Sequence, residues 1–469
     1  MSRRWWSGRG PIASLVGLCL LVYTGLEVLR YLTYHAPAYD LGFFAQLTSN
    51  LSAGRGWATT FLGYDFRGQH WEPILLAWAQ LDRLVATPVW LLVINSTALA
   101  LAPLAAWRLA RCWFARSGAV PLIAALATAL SPLILRTVGF DYHSEALTPL
   151  LALLALEAAC RRRWLAVAAC CAVLVLLKED AFLVVAGVGW LIWRTEHRRG
   201  GLVLSAAALA GFAAVVGAYM PAIRQGRPAD LVARYAYLGA QGHATGPLQI
   251  AAGLVTDPLT WLHHLVMAAP LQGLAVALLP LALLPLLSGW ALLAALPPLA
   301  VGLLSSDPLQ SSLQLHYGAE AFPLLLACAL LGWRRAQGWA GLRHPRVRRP
   351  LALLAVAAAI GAVPLTIDLA ARGVDVAGLQ RRGAVQGVLD RVPAGARVAA
   401  STELVAHLSE RPQITEFPDI RGARWVVVDS GSAVSLQSLR AGYVDALAQL
   451  PAEFHRVSAA AGVVLWERS

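Results

Sequence analysis

Runs of apolar residues long enough to cross a lipid bilayer recur along this chain, and clusters of arginine separate them. A helix needs roughly 20 apolar residues to span about 30 Å of hydrocarbon. The Leu-, Ala- and Val-rich runs approach or reach that length again and again. Of the 469 residues 58% are hydrophobic and only 14% charged, which excludes an ordinary soluble domain. A formal net charge of +12 would point to nucleic acid in a soluble protein. Here the arginines lie between apolar runs, as they do in cytoplasmic loops facing anionic lipid, so no nucleic-acid partner is expected.

The charge pattern sets a topology of about eleven crossings with a cytoplasmic N-terminus and an extracytoplasmic C-terminal region. Arg3 and Arg4 precede a first helix over 12–29, and no small-residue cleavage pattern marks it for removal. An external loop over 30–71 follows, and an amphipathic stretch over 72–84 lies in the interface. Further crossings are expected over 88–107 and 119–138, then a fourth ending at Arg161-Arg162-Arg163. Two short ones, 164–177 and 181–193, meet at Lys178-Glu179-Asp180. Beyond 202–220 comes a second external loop, 221–264, and then crossings at 266–284, 285–304, 318–332 and 351–369. The dense arginine clusters between helices all fall on one side of this arrangement, and the Asp, His, Glu and Lys clusters on the other. Residues 1–370 thus form an all-α polytopic membrane domain. The six cysteines lie in or beside apolar runs, and none falls in the C-terminal region, so no disulfide framework is expected there.

From about residue 374 the pattern changes to alternating amphipathic and β-prone runs. Helices are expected over 378–391, 402–410 and 435–450, with Ser401 placed to cap the second. Strands are expected over 396–400, 413–417, 425–429, 453–457 and 463–466. The run Trp425-Val426-Val427-Val428 suits a strand buried on both faces. Residues 374–469 read as a small extracytoplasmic α/β domain without the glycine pattern of a phosphate-binding loop.

Charged groups at membrane-helix ends are functional candidates because burying them is expensive. Asp40 precedes an amphipathic stretch over 41–51; it caps that stretch, serves as a general base, or ligates a metal. His70 and Glu72 diverge on a helix and converge in an irregular turn. Asp141, His143 and Glu145 follow; on a helix, Asp141 and Glu145 would share a face. Lys178 is the only lysine in the chain, a compact ammonium suited to phosphate, and Glu179 and Asp180 flank it. His316 and Tyr317 lead, with Glu320, into the tenth helix. Tyr235, Tyr237, His243 and Trp261 in the second external loop line a groove or anchor the interface. Asp40, Asp141, His143 and Glu145 carry donors that suit Mg2+ or Mn2+.

Several ordered motifs carry a family likeness: Tyr39-Asp40-Leu41-Gly42-Phe43-Phe44, Gly68-Gln69-His70-Trp71-Glu72-Pro73, and Phe140-Asp141-Tyr142-His143-Ser144-Glu145-Ala146. Lys178-Glu179-Asp180-Ala181, His316-Tyr317 with Pro323, Val398-Ala399-Ala400-Ser401, His407-Leu408-Ser409 and Arg411 complete it. On these the chain resembles the prokaryotic membrane proteins of domain-of-unknown-function family 2079. That family is in turn distantly similar to the GT-C glycosyltransferases, which use polyprenyl-phosphate sugars. The resemblance implies a plasma-membrane location, membrane lipid and a polyprenyl-phosphate sugar as partners, and a catalytic acid in the first external loop, at Asp40. A Tyr-Asp pair stands here where many such enzymes carry paired acids, which leaves the activating carboxylate to Asp40 alone or shared with Asp141 or Glu145.

The function so implied is an inverting transfer of a sugar to an extracytoplasmic acceptor. Asp40, Asp141 and Glu145 would be catalytic; His70, Glu72, His143, Lys178, Glu179, Asp180, His316 and Tyr317 would bind substrate. The alternative is a proton-coupled transporter or lipid flippase, against which stands the gathering of the polar groups at one face and the lack of a visible inverted repeat.

Overall fold

The computed structural model describes residues 9–85, 87–115, 119–227, 230–239, 242–338, 376–430 and 443–469. The crossing expected over 351–369, Arg116 and the arginines Arg343, Arg346, Arg348 and Arg349 lie outside the described residues. The chain divides into two compact units. One comprises Met1–Thr24, Arg67–Ile74 and Asn95–Ala370, the other Gly25–Phe66, Leu75–Ile94 and Ala371–Ser469. The first ten helices are α1 (Arg9–Leu32), α2 (Phe43–Ser52), α3 (Leu75–Asp82), α4 (Val89–Trp113), α5 (Ala119–Ala129), α6 (Pro132–Val138), α7 (Thr148–Cys160), α8 (Trp164–Leu174), α9 (Ala181–Glu196) and α10 (Arg199–Ala214). Later apolar helices run over Pro258–Leu265, Ala268–Leu278, Leu296–Leu303 and Phe322–Ala336.

The first unit is a mostly helical, multi-pass membrane domain. Leu21, Leu165 and Val203 are 74%, 90% and 69% exposed. Such apolar surface is unfavourable in water and costs nothing against lipid. By length and composition, three helices among the described residues can cross a bilayer: Gly10–Leu32, Val89–Trp113 and Arg199–Arg224. Three bent pairs raise the count to six among the described residues if each is one span. They are Ala119–Ala129 with Pro132–Val138 at 42°, Pro258–Leu265 with Ala268–Leu281 at 69°, and Leu284–Ala294 with Leu296–Leu303 at 100°. This corrects the expectation of about eleven crossings. Helices α7, α9 and Phe322–Ala336 have 13, 16 and 15 residues. They rise only about 20–24 Å at 1.5 Å per residue, short of the roughly 30 Å core. Prolines account for part of the bending, since a ring at Pro132 or Pro297 removes an amide donor where a helix would continue.

Within the first unit α9 and Phe322–Ala336 are buried nearly all round. The pairing of α9 with α10 depends on two glycines. A Cβ on Gly189 would come within 2.5 Å of the Gly201 carbonyl oxygen, and one on Gly201 within 2.4 Å of the Gly189 carbonyl oxygen. Small residues that let helix backbones touch replace the hydrophobic driving force that lipid does not supply.

The second unit carries the C-terminal β-sheet. The strands are β1 (Val398–Ala400), β2 (Ile414–Glu416), β3 (Trp425–Asp429), β4 (Phe454–Ala460) and β5 (Val463–Arg468), in the order β2-β1-β3-β5-β4. β1 pairs parallel with β2 and β3; β5 pairs antiparallel with β3 and β4. Each lies where the residue pattern placed a strand. β3 is buried along its whole length, Val427 in one core with Val385, Leu389 and Leu404, and Val426 and Val428 in another with Phe417, Tyr443 and Phe454.

Two capping expectations are overturned in this unit. Ser401 does not cap the helix after it, which is short, Thr402–Val405. Its hydroxyl instead accepts from the Asp429 amide at 2.9 Å and lies 3.1 Å from the Tyr443 hydroxyl, tying the ends of β1 and β3. Asp40 does not cap α2 either, because it sits inside a π turn, Ala38–Gly42, that runs straight into that helix.

Candidate functional site

The polar clusters of the first unit lie in turns that join its helices, outside the apolar spans. Lys178, Glu179 and Asp180 occupy the turn from α8 to α9, closed by the Ala181 and Phe182 amides on the Lys178 and Glu179 carbonyls at 3.2 Å. Asp180 stands at the N-cap of α9 and spends no side-chain bond on capping. Residues 141–143 are not helical, and His143 is extended (φ −146°, ψ 136°) ahead of a 3-10 turn over Ser144–Leu147. Asp141 and Glu145 therefore do not share a helical face, contrary to the expectation from their spacing. His70 and Glu72 lie in an irregular segment before α3, as their spacing requires if both are to point at partners.

Four separate segments converge here through side chains. His70 Nδ1 lies 2.8 Å from Glu179 Oε1, and the Trp71 amide donates to Glu179 Oε2 at 2.9 Å. The Trp71 indole donates to the Val175 carbonyl at 2.7 Å, pinning that segment to the α8–α9 turn. The Ser144 hydroxyl donates to Glu72 Oε2 at 2.5 Å. Lys178 Nζ donates to Glu145 Oε1, and His316 Nε2 lies 3.6 Å from the same oxygen. His143 and His316 stack with ring centroids 3.6 Å apart, and Phe140 stacks beside both. Asp141, Glu145, Glu179 and Glu72 are each 3% exposed or less.

Burial and proximity sort the protons. Burial and the charge of Glu145 push Glu72 up to about 8. Burial would also raise Glu145, but the Lys178 ammonium holds it below the usual carboxylate range. Lys178 goes well above its ordinary value, because Glu145, then Asp180 and Glu179, outweigh its burial. Burial pulls His143 down to about 4 and keeps His316 neutral as well. His70 rises because Glu179 overcomes the cost of burying its charge. Asp180, partly open to the surface, is pushed up to about 7 by the desolvation of its carboxyl and by Glu179. At neutral pH the cluster thus holds the Lys178–Glu145 ion pair, His70 against Glu179, two neutral stacked imidazoles, a protonated Glu72 and a carboxyl poised to exchange a proton.

Tyr317 turns from His316 toward a second set. Arg234 donates to the Tyr317 hydroxyl at 3.2 Å and to Gln310 Oε1 at 2.6 Å, and lies 3.5 Å from Asp307. Tyr235 and Tyr237 donate to the Val301 and Leu304 carbonyls at 2.6 and 2.9 Å, so their hydroxyls anchor the loop. Sequence reasoning did not select Ser144 or Arg234, and it named Glu320 beside His316 and Tyr317 without giving it a role. Glu320 is 8% exposed, and burial with Asp180 raises it well above its ordinary value. Its spacing of four from His316 was the available signal; Arg234 carried none, being one arginine among many.

Asp40 belongs to the second unit, where the other motifs gather. The Ala38 amide donates to Thr402 Oγ1 at 3.1 Å, the Gln46 amide nitrogen to the Arg411 carbonyl at 3.3 Å and the Ser49 hydroxyl to the Glu410 carbonyl at 3.1 Å. A Cβ on Gly42 would sit 2.8 Å from Val405 Cγ1, so only glycine admits this approach. His407 stacks on Tyr31 at 4.0 Å and lies 2.9 Å from its carbonyl oxygen; burial lowers it to about 4, which keeps the ring neutral. The sequence motifs thus sort into two constellations. His70 to Glu72, Asp141 to Glu145, Lys178 to Asp180 and His316 meet in the first unit; the residues around Asp40 meet those from Thr402 to Arg411 in the second.

Among the described residues, no three His, Cys, Asp or Glu side chains are arranged to hold a metal ion. A family model described as "Predicted membrane protein (DUF2079)" matches residues 30–433. No curated protein matches the chain. Among solved structures, the crystal structure of ArnT from Cupriavidus metallidurans bound to undecaprenyl phosphate matches at 13% identity over 98% of both chains, with a TM-score of 0.46.

Proposed function

We propose, for a chain that belongs to the DUF2079 family of predicted membrane proteins, that it transfers a sugar from a polyprenyl-phosphate donor to an acceptor hydroxyl. The supporting observation is the convergence of an ammonium, two neutral imidazoles and a carboxyl titrating at about 7 in the turns of one membrane unit. Helix packing alone does not call for so many buried ionisable groups, and each is expensive to keep.

In this scheme Asp180 takes the proton of the acceptor hydroxyl, whose oxygen attacks the anomeric carbon with inversion. The bond from that carbon to the phosphate oxygen breaks, and polyprenyl phosphate leaves with the electron pair. The Lys178 ammonium, shared with Glu145 at rest, offsets the charge that develops on the leaving phosphate. His143, His316 and Tyr317 would contact the substrate; His70 and Glu179 hold the turn that carries both Lys178 and Asp180. Asp40 is an independent catalytic candidate in the second unit, tested on its own. A requirement for Mg2+ or Mn2+, with Asp141 and His143 as donors, is part of the proposal and is tested by chelation and add-back.

The orientation in this reading puts the arginine-rich helix ends in the cytoplasm and the C-terminal sheet outside, within the second unit. Proton-coupled transport is the second reading, favoured by Glu72 and Asp180 titrating near neutrality beside one another's partners. The deciding experiment reconstitutes the full chain in vesicles with polyprenyl-phosphate sugars and pooled membrane acceptors. Release of polyprenyl phosphate that vanishes in Asp180→Asn supports transfer. Proton-driven uptake without release supports transport and overturns the enzyme reading.

A further inference from the structure

Helix α7 carries the Ser144–Leu147 turn at its start and a second, unrelated feature at its end. Its 13 residues put the two about 20 Å apart. Where α7 ends beside the end of α4 lies a cavity of about 650 Å3 whose lining includes Arg108, Arg111, Arg161 and Arg163, with Trp107 and Cys112. Among the described residues, buried Glu157 is the carboxylate paired here, and it reaches two of the four guanidiniums. It receives Arg108 Nη2 at 3.2 Å on both oxygens and also the Arg161 Nε. Arg111 and Arg163 form no ion pair among the described residues; Arg111 lies over the Trp107 ring at 4.7 Å. Like charges gathered at the edge of a low-dielectric region repel unless an anion joins them.

A disulfide between Cys112 and Cys160 fixes this arrangement. Cys112 follows Arg111 directly, and Cys160 precedes Arg161, so the bond holds one guanidinium from each helix end at the same opening. Trp164 and Leu165, 41% and 90% exposed, continue the surface with an apolar face of the kind acyl chains cover. Arginine's planar fork matches the oxygens of a phosphate, and basic pockets between membrane helices recognise lipid headgroups in this way.

We propose that this cavity is a binding site for a phosphate group, carried either by an anionic phospholipid headgroup or by free phosphate. The site stands apart from the sugar-transfer reading and does not depend on it. The test uses the full chain in nanodiscs of zwitterionic phosphatidylcholine. One arm adds phosphatidylglycerol and counts retained lipid by native mass spectrometry; the other adds inorganic phosphate and follows thermal unfolding. The double variant Arg111→Gln/Arg163→Gln is compared with Arg391→Gln/Arg421→Gln, which removes the same charge from the sheet-bearing unit. Binding weakened about tenfold in the first variant only is the expected result. Retention lost in the lipid arm names the headgroup as source, and a thermal shift lost in the phosphate arm names the free ion. Equal binding by both variants, or none by the wild type in either arm, overturns the proposal. Without ligand the Arg111→Gln/Arg163→Gln variant unfolds close to wild type, since relieved repulsion offsets the lost contact of Arg111 with the Trp107 ring; unliganded unfolding is measured first, so a failure to fold is told apart from the expected loss.

Discussion

Lys178 is the chain's single lysine and is almost fully buried against Glu145. Replacing it by an apolar residue would strand a buried carboxylate at a cost of about 3–5 kcal/mol, so the informative variant keeps the charge. Lys178→Arg is expected to leave folding largely intact and weaken donor binding about tenfold, because a planar fork cannot offer the same point charge in the same space. Unchanged donor affinity in a lipid-donor titration would remove Lys178 from the phosphate role. For Asp180 the sign follows from its function as a base. It acts when ionised, so turnover rises with pH through about 7 and levels off above. Glu72 makes a statement about stability instead. Its folded pKa of about 8 lies above the ordinary 4.5, so the folded state holds the extra proton between those values and stability falls as pH rises from 4.5 to 8. Glu72→Gln should flatten that decline in thermal unfolding; a slope as steep as wild type would show that Glu72 is not the group responsible. Residues of this kind were visible in the sequence because a titratable group at the end of an apolar run stands out. Their pairings were not, since His70 and Glu179 are 109 positions apart and no local spacing links them.

At the scale of elements, the strands were readable because β-branched and aromatic residues cluster between turn residues, as in Trp425–Asp429. The end of α7 was readable from Arg161, but α4 runs on through Arg108 and Arg111 to Trp113, past the end expected at 107. The geometry of the breaks was not readable. The 100° bend between Leu284–Ala294 and Leu296–Leu303 falls at Pro297 and Pro298, which mark a break in an apolar stretch but not its angle, and the 3-10 turn at Ser144 erased a helical face inferred from spacing alone. The α9–α10 pair yields a direct prediction. Gly201→Val drives methyl groups into the Gly189 carbonyl and should cost about 1–3 kcal/mol, read as a lowered unfolding temperature. Gly200→Ala, one residue away with nothing within 4 Å, should leave that temperature nearly unchanged.

At the scale of the whole molecule, composition established a multi-pass membrane protein, but the number of crossings depends on which bent pairs count as one span. The division into two units was hidden for a different reason. The second unit is assembled from three stretches of chain, and only the last looks like a soluble domain by composition. The bond between Cys112 and Cys160 bears on sidedness. Arginine abundance assigns that end of α4 and α7 to the cytoplasm, where glutathione and thioredoxin keep thiols reduced; a persisting disulfide belongs to an oxidising compartment. The redox state of this one cysteine pair is therefore a compass for the whole molecule. Blocking free thiols at the moment of cell lysis and finding both cysteines alkylated upholds the arginine reading. Finding them joined would turn the protein over in its membrane, carrying the acidic turns to the opposite side.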